Sequence, residues 1–272
     1  MLDSLTFGFL GGGNMASALI GGLMARGVPG GAIRVVDPFE DARQRLAQSG
    51  VQALAAPDAA FGASDVIVLA VKPQQYRDAI APLVPLLTDN LIISVAAGIR
   101  LQDMARWLGR ARLVRAMPNT PALAGMGMTG LAAAPGLSDA DRGIATAVAE
   151  AVGQCVWVGN DDQIDAVTAI SGSGPAYVFY FVEAMERAAT EMGLSAEQGR
   201  QLAVETFRGA AALAAQSPEP VATLRERVTS KGGTTYAAVT EMDASGIKDA
   251  FVKAMHAAAA RGREMGAEFG KD

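Results

Sequence analysis

The spacing of hydrophobic positions changes character once along the chain. Up to about residue 160, short apolar runs rich in β-branched residues occupy 5–10, 33–36, 66–70, 91–95, 113–117 and 155–158. Between them lie amphipathic or alanine-rich stretches at 15–26, 39–48, 74–87, 101–108 and 140–152. The first kind predicts strands and the second helices. Strand–helix alternation of this length builds parallel βαβ units with right-handed crossovers, hence an α/β fold with a doubly wound sheet. The runs are nearly continuous in apolar character, as strands covered on both faces require.

Beyond residue 161 the strand pattern stops. Residues 163–170, 176–192, 196–216, 235–244 and 247–269 all read as helices. Interruptions rich in Gly, Ser and Pro fall at 171–175 and 230–233, and a third, at 217–220, reads as a helix-to-helix turn. The pattern predicts a Rossmann-like domain over residues 1–160 and an all-helical domain over 161–272, with the boundary near 159–162. Alanine runs such as 257–260 let helices approach closely. Such a domain suits either a compact monomeric bundle or a homodimer of packed helices.

Composition narrows the function classes. Half of the 272 residues are hydrophobic and 19% are charged, which fits a globular protein with a sizeable core. The net charge of −5 argues against a nucleic-acid partner. Residues 1–160 carry 12 basic and 12 acidic side chains and residues 161–272 carry 11 and 16, so an anionic ligand would favour the first part. A single cysteine, Cys155, allows no internal disulfide and reads as core; with one histidine, His256, it makes no credible metal site. The first basic residue is Arg26, unlike a secretory leader, and no apolar run approaches the roughly 20 residues that span a bilayer. The expected location is the cytoplasm.

The chemistry starts at the first strand, which runs into Gly11-Gly12-Gly13-Asn14-Met15-Ala16 and then a helix. This G-x-G-x-x-A pattern, in a strand–turn–helix context, predicts a dinucleotide pyrophosphate seated on the helix N-terminus. Asp37, 24 residues beyond Gly13 at the end of the second strand, is placed to meet the adenosine ribose of NAD(H). Arg43 and Arg45, one helical turn on, either meet the 2′-phosphate of NADP(H) or form a solvated helix face, so the choice of cofactor stays open. Three further loops leave the carboxyl edge of the sheet, where ligands bind in open α/β folds. They are Ala70-Val71-Lys72-Pro73, Ala96-Ala97-Gly98 and Met117-Pro118-Asn119-Thr120-Pro121. The last is stiffened by two prolines, and Asn119 is expected to hold a nicotinamide carboxamide. In the helical part, Ser171-Gly172-Ser173-Gly174-Pro175 and Ser230-Lys231-Gly232-Gly233-Thr234-Thr235 each lead into a helix. The first reads as a serine N-cap with proline near the helix start. Together the two loops predict a receptor for a small carboxylate.

In this order and spacing the motifs resemble those of the Δ1-pyrroline-5-carboxylate reductases, from about residue 6 to about residue 265. The resemblance implies a Rossmann domain followed by a helical dimerisation domain, in homodimers that often assemble into larger rings. It implies hydride transfer from NADPH or NADH to a cyclic imine, giving L-proline. Ser230, Thr234 and Thr235 would then surround the substrate, with Thr235 meeting the imine nitrogen, and Ser171, Ser173, Gly174, Gly232 and Gly233 would complete the pocket. Lys231 replaces a proline common in relatives, and Asp37-Pro38 replaces a hydroxyl residue that some use near the 2′-phosphate.

The residue types fit that reaction. A cyclic imine arrives already protonated, so positioned hydroxyls can replace a strong general acid. A β-hydroxyacid-type dehydrogenase needs a base, usually a lysine early in the helical domain. The lysines here are Lys72, Lys231, Lys248, Lys253 and Lys271, none of them within 171–192. A non-catalytic dinucleotide sensor would not need the second hydroxyl–glycine loop. His256, deep in the last helix, reads as surface or packing.

Overall fold

The computed structural model describes residues 2–271. Eight strands form one sheet in the order β3-β2-β1-β4-β5-β6-β7-β8. They are β1 (Phe7–Leu10), β2 (Ile33–Val36), β3 (Gln52–Leu54), β4 (Val66–Leu69), β5 (Leu91–Ser94), β6 (Leu113–Met117), β7 (Gly127–Ala133) and β8 (Gly153–Trp157). Strands β1 to β6 are parallel, in the order of a Rossmann fold. The last two depart from the all-parallel expectation: β7 pairs antiparallel with β6, and β8 runs parallel to β7. Strand β3 and strand β7 were not expected. Strand β3 has three residues, and β7, of sequence GMTGLAA, offers glycine and alanine where β-branched residues would mark a strand.

Alternation along the buried strands feeds two cores. Phe7, Phe9, Val66, Val68, Leu91 and Ile93 face one side, where α1 (Asn14–Ala25) packs Ala16, Leu19, Ile20 and Leu23. Leu10, Ile67, Leu69 and Ile92 face the other. Each side chain so buried contributes about 1.5–3 kcal/mol, which is why these runs tolerate no polar face. The remaining helices of this part are α2 (Glu40–Ala47), α3 (Ala59–Gly62), α4 (Tyr76–Ile80), α5 (Leu101–Leu108), α6 (Asp139–Glu150) and α7 (Asp161–Val167). The single helix expected over 74–87 is broken into α4 flanked by short 3-10 turns at Pro73–Gln75 and Val84–Leu86, each carrying a proline in its first turn. Cys155 lies on the edge strand β8, whose residues alternate between half-buried and exposed, so it borders the core without being enclosed by it.

The rest is helical: α8 (Gly174–Glu191), α9 (Ala196–Gln216), α10 (Val221–Arg227), α11 (Thr234–Ala244) and α12 (Ile247–Phe269). Two compact units result, Met1–Ser173 together with Ala258–Asp272, and Gly174–Ala257. In the first, the end of α12 returns to the sheet domain: Arg106 and Arg77 donate to the carbonyls of Gly270 and Lys271 at 2.7 and 3.3 Å. In the second, α8 and α9 form a close hairpin, with Ala189 against Gly199, where an added Cβ would stand 2.9 Å from Ala189 Cβ.

Candidate active site

The glycine loop lies at the carboxyl edge of β1 over a cleft of about 610 Å³. Gly11 has φ +100, and a Cβ there would stand 2.6 Å from the Ala70 carbonyl oxygen, so only glycine lets β1 and the 70–73 loop meet. Gly13 precedes α1 in extended conformation, no side chain caps the helix, and nothing lies within 4 Å of where its Cβ would be. The first N–H groups of α1, from Asn14 and Met15 onward, therefore face open space with the positive end of the helix dipole behind them. That arrangement fits a pyrophosphate.

Asp37 is placed differently from a free ribose acceptor. It is buried at 8% exposure, its Oδ2 accepts the Gly12 N–H at 2.8 Å, and its Oδ1 accepts the Phe39 N–H at 2.9 Å. The carboxylate thus braces the glycine loop against the end of β2. Arg43 turns back, donating to the carbonyls of Asp37 and Pro38 at 2.8 and 2.7 Å. Arg45 and Lys72 line the cleft and are exposed, Arg45 reaching the Gly12 carbonyl only at 3.3 Å. Ala70, Val71 and Lys72 also line it. Gly98 does not stand open: with φ +74 it backs onto Met265 and Phe269 of α12.

At the end of β6, Pro118 is buried and Asn119 half-buried. The Asn119 side chain is engaged at both ends, accepting from the Met128 N–H at 2.9 Å and donating to the Ser171 carbonyl at 3.1 Å. The serine N-cap expected at 171–173 is not what forms. Thr168–Gly172 is a π turn, in which the Ser173 N–H donates to the Thr168 carbonyl at 2.8 Å, so the segment is a widened helical turn rather than a loop. Ser171 and Ser173 are half-buried on it.

The second unit carries the other hydroxyl loop. Gly232, at φ +78, and Gly233 turn the chain into α11, where Gly233 is the N-cap and no side chain caps the helix. Ser230 Oγ lies 2.8 Å from the position a Gly233 Cβ would take, so a larger residue there would displace the Ser230 hydroxyl. Among the described residues, the hydroxyls of Ser230, Thr234 and Thr235 make no hydrogen bond within the chain, and all three residues are exposed. Lys231 is exposed as well.

Along 97% of its length the chain is 42% identical to a pyrroline-5-carboxylate reductase of Pseudomonas aeruginosa, covering 97% of that protein. It is 37% identical to one from Pisum sativum, again over 97% of both chains. The chain belongs to the pyrroline-5-carboxylate reductase family. Residues 161–265 match the family model described as pyrroline-5-carboxylate reductase dimerisation, and residues 6–98 match NADP oxidoreductase, coenzyme F420-dependent. A pyrroline-5-carboxylate reductase structure from Coxiella burnetii superposes with a TM-score of 0.91 at 37% identity, over 96% of this chain and 98% of that one. A Plasmodium falciparum pyrroline carboxylate reductase, solved with NADP bound, gives 0.86 at 26% identity over 97% and 99%. As a reductase of this family the chain is an NAD(P)H-dependent oxidoreductase, and its dimerisation region makes it a homo-oligomer.

The sheet also holds a buried ion cluster that the sequence did not single out. Arg115 on β6, 1% exposed, donates to Asp161 Oδ1 at 2.7 Å and Asp165 Oδ1 at 2.9 Å on α7. Arg100 stands 3.5 Å from the other oxygen of Asp165. The one sequence signal was an arginine inside an otherwise apolar strand, LVRAM.

Proposed function

We infer that this chain reduces the C=N bond of Δ1-pyrroline-5-carboxylate to give L-proline, with residues 1–160 holding the dinucleotide and residues 161–272 holding the substrate and the dimer contact. The observation that carries the substrate side is the trio of free hydroxyls, Ser230, Thr234 and Thr235, at an uncapped helix N-terminus. Uncapped N–H groups with the helix dipole behind them suit the ring carboxylate. A neutral hydroxyl suits the ring nitrogen, and Thr235 is assigned to hydrogen-bond it, holding the already protonated imine in one orientation. Ser230, Thr234, Gly232 and Gly233 are assigned to the carboxylate side, and Ser171, Ser173 and Gly174 are assigned to substrate binding.

Gly11, Gly12, Gly13, Asn14 and Met15 are assigned to the pyrophosphate, Asp37 and the 70–73 and 96–98 loops to the rest of the dinucleotide. When bound, NADPH or NADH supplies the hydride. NADPH is the proposed first choice: both Asp37 oxygens already accept backbone N–H groups, while Arg45 and Lys72 stand exposed on the cleft. The proposed assembly is a dimer built up into a larger ring, in the cytoplasm and without a nucleic-acid partner. The charge of −5 supports the last point, and among the described residues no helix is long and apolar enough to cross a membrane.

The test follows the loss of nicotinamide absorbance with the imine, for wild type and Thr235→Ala. Wild type is expected to oxidise NADPH faster than NADH. The variant is expected to lose roughly a hundredfold in turnover, with its affinity for NADPH unchanged. No oxidation by folded wild-type protein would overturn the reductase reading, and unchanged turnover in the variant would remove Thr235 from the site.

A further inference from the structure

Pro175, the second residue of α8, carries no N–H. In a continuous α-helix that N–H would serve the carbonyl four residues back, which belongs to Ser171. The chain widens into the π turn at this point, and the Ser171 carbonyl keeps a backbone N–H partner at the end of that turn but has none from position 175. Asn119, 52 residues earlier, fills the gap: its Nδ2 donates to the Ser171 carbonyl at 3.1 Å and lies 3.3 Å from the Ser171 hydroxyl. The orientation of the amide is fixed by its other end, because the Met128 N–H requires an acceptor and finds Oδ1 at 2.9 Å.

We propose that Asn119 is a positioning residue that replaces the hydrogen bond Pro175 cannot make, and so holds the π turn that presents Ser171 and Ser173 to the substrate. The side chain is anchored through Met128 on β7, which is laddered to β6 on one side and β8 on the other, so the turn is tied to the sheet. Without the amide, the half-buried carbonyl keeps its backbone partner but loses the one side-chain donor it has among the described residues, and the turn is freer to tighten towards α geometry or to open. Either movement displaces both serine hydroxyls. The inference rests on the substrate role given to those serines, and the cofactor side of the site is untouched by it.

Asn119→Asp and Asn119→Ala separate the two ends of the side chain. The aspartate keeps the acceptor for Met128 and loses the donor to Ser171; the alanine loses both. Three quantities are measured: KM for Δ1-pyrroline-5-carboxylate, the dissociation constant of NADPH by fluorescence titration, and amide hydrogen exchange across residues 168–173. Both variants are expected to raise KM roughly tenfold, the scale set by one lost hydrogen bond, with NADPH affinity unchanged and the Ser173 amide exchanging faster. Pro175→Ala restores an N–H at position 175, so in that background Asn119→Ala should raise KM far less. Wild-type KM and exchange in Asn119→Asp would overturn the proposal, as would an undiminished effect in the Pro175→Ala background. Weakened NADPH binding would overturn it too and place Asn119 on the cofactor. A wild-type protein that exchanges as expected but does not reduce the imine would sink the substrate reading while leaving the clamp standing.

Discussion

Arg115 sets the terms at the level of single residues. Its guanidinium is removed from water and reaches two carboxylates, one of which, Asp165, is itself 1% exposed. Such a cluster adds little net stability when complete, yet removing one member leaves an unpaired charge in the interior. Arg115→Met is therefore expected to cost about 3 kcal/mol in urea denaturation, because Arg100, at 3.5 Å and on the opposite oxygen, compensates only in part. A change below about 1 kcal/mol would show that water reaches Asp165. Asp37 teaches a related lesson. Position at the end of β2 marks it as a ribose acceptor, and the bonds to Gly12 and Phe39 add a bracing role that no local motif announces. Burial, with Glu150 nearby, pushes the Cys155 thiol up from its ordinary value, which favours the protonated form over the thiolate.

Among the elements, α6 shows how sequence and tertiary contacts share one helix start. Ser138 caps it, accepting from the Asp141 N–H at 3.1 Å, a pattern legible in Ser-Asp-Ala-Asp. The Asp141 carboxylate meanwhile takes a two-pronged bond from Arg112, at 2.6 and 3.1 Å, and this holds its pKa below the ordinary carboxylate value. A depressed folded-state pKa gives stability that is fully present above the unfolded value, about 3.9, and is lost as pH falls through the folded value. Asp141→Asn should thus lower the melting temperature at neutral pH, with the gap to wild type closing as the solution is acidified below about pH 4. A gap independent of pH would mean that shape, not charge, matters at this position. Other elements were less legible. The antiparallel β7 has the composition of a loop, and only its ladders with β6 and β8 make it a strand.

At the scale of the molecule, the unit Gly174–Ala257 exposes several large apolar side chains. Phe179, Tyr180, Leu202 and Leu213 are 61%, 69%, 56% and 68% exposed. Surfaces of this kind are covered by association, in agreement with the match of residues 161–265 to a dimerisation region. Sedimentation is expected to show no monomer at micromolar concentration, and a Phe179→Glu, Leu213→Glu double variant should shift the population to monomer. A double variant that sediments as wild type would place the contact on another face.

The sequence by itself determined what depends on neighbouring residues: the two hydrophobic periods, the change from sheet to helices near residue 160, the glycine turn into α1 and the two hydroxyl-bearing segments. Each is a property of a contiguous stretch, in which period, proline and glycine act on the local backbone. The tertiary structure alone decided which distant groups meet. Gly12 and Asp37 are 25 positions apart, Arg115 and Asp165 are 50, and Asn119 and Ser171 are 52. It also decided the direction of β7 and turned an expected serine cap into a π turn. Hydrogen bonds and ion pairs of this kind follow from the packing of β1, β6 and α7 in space, and a one-dimensional pattern carries no record of that packing.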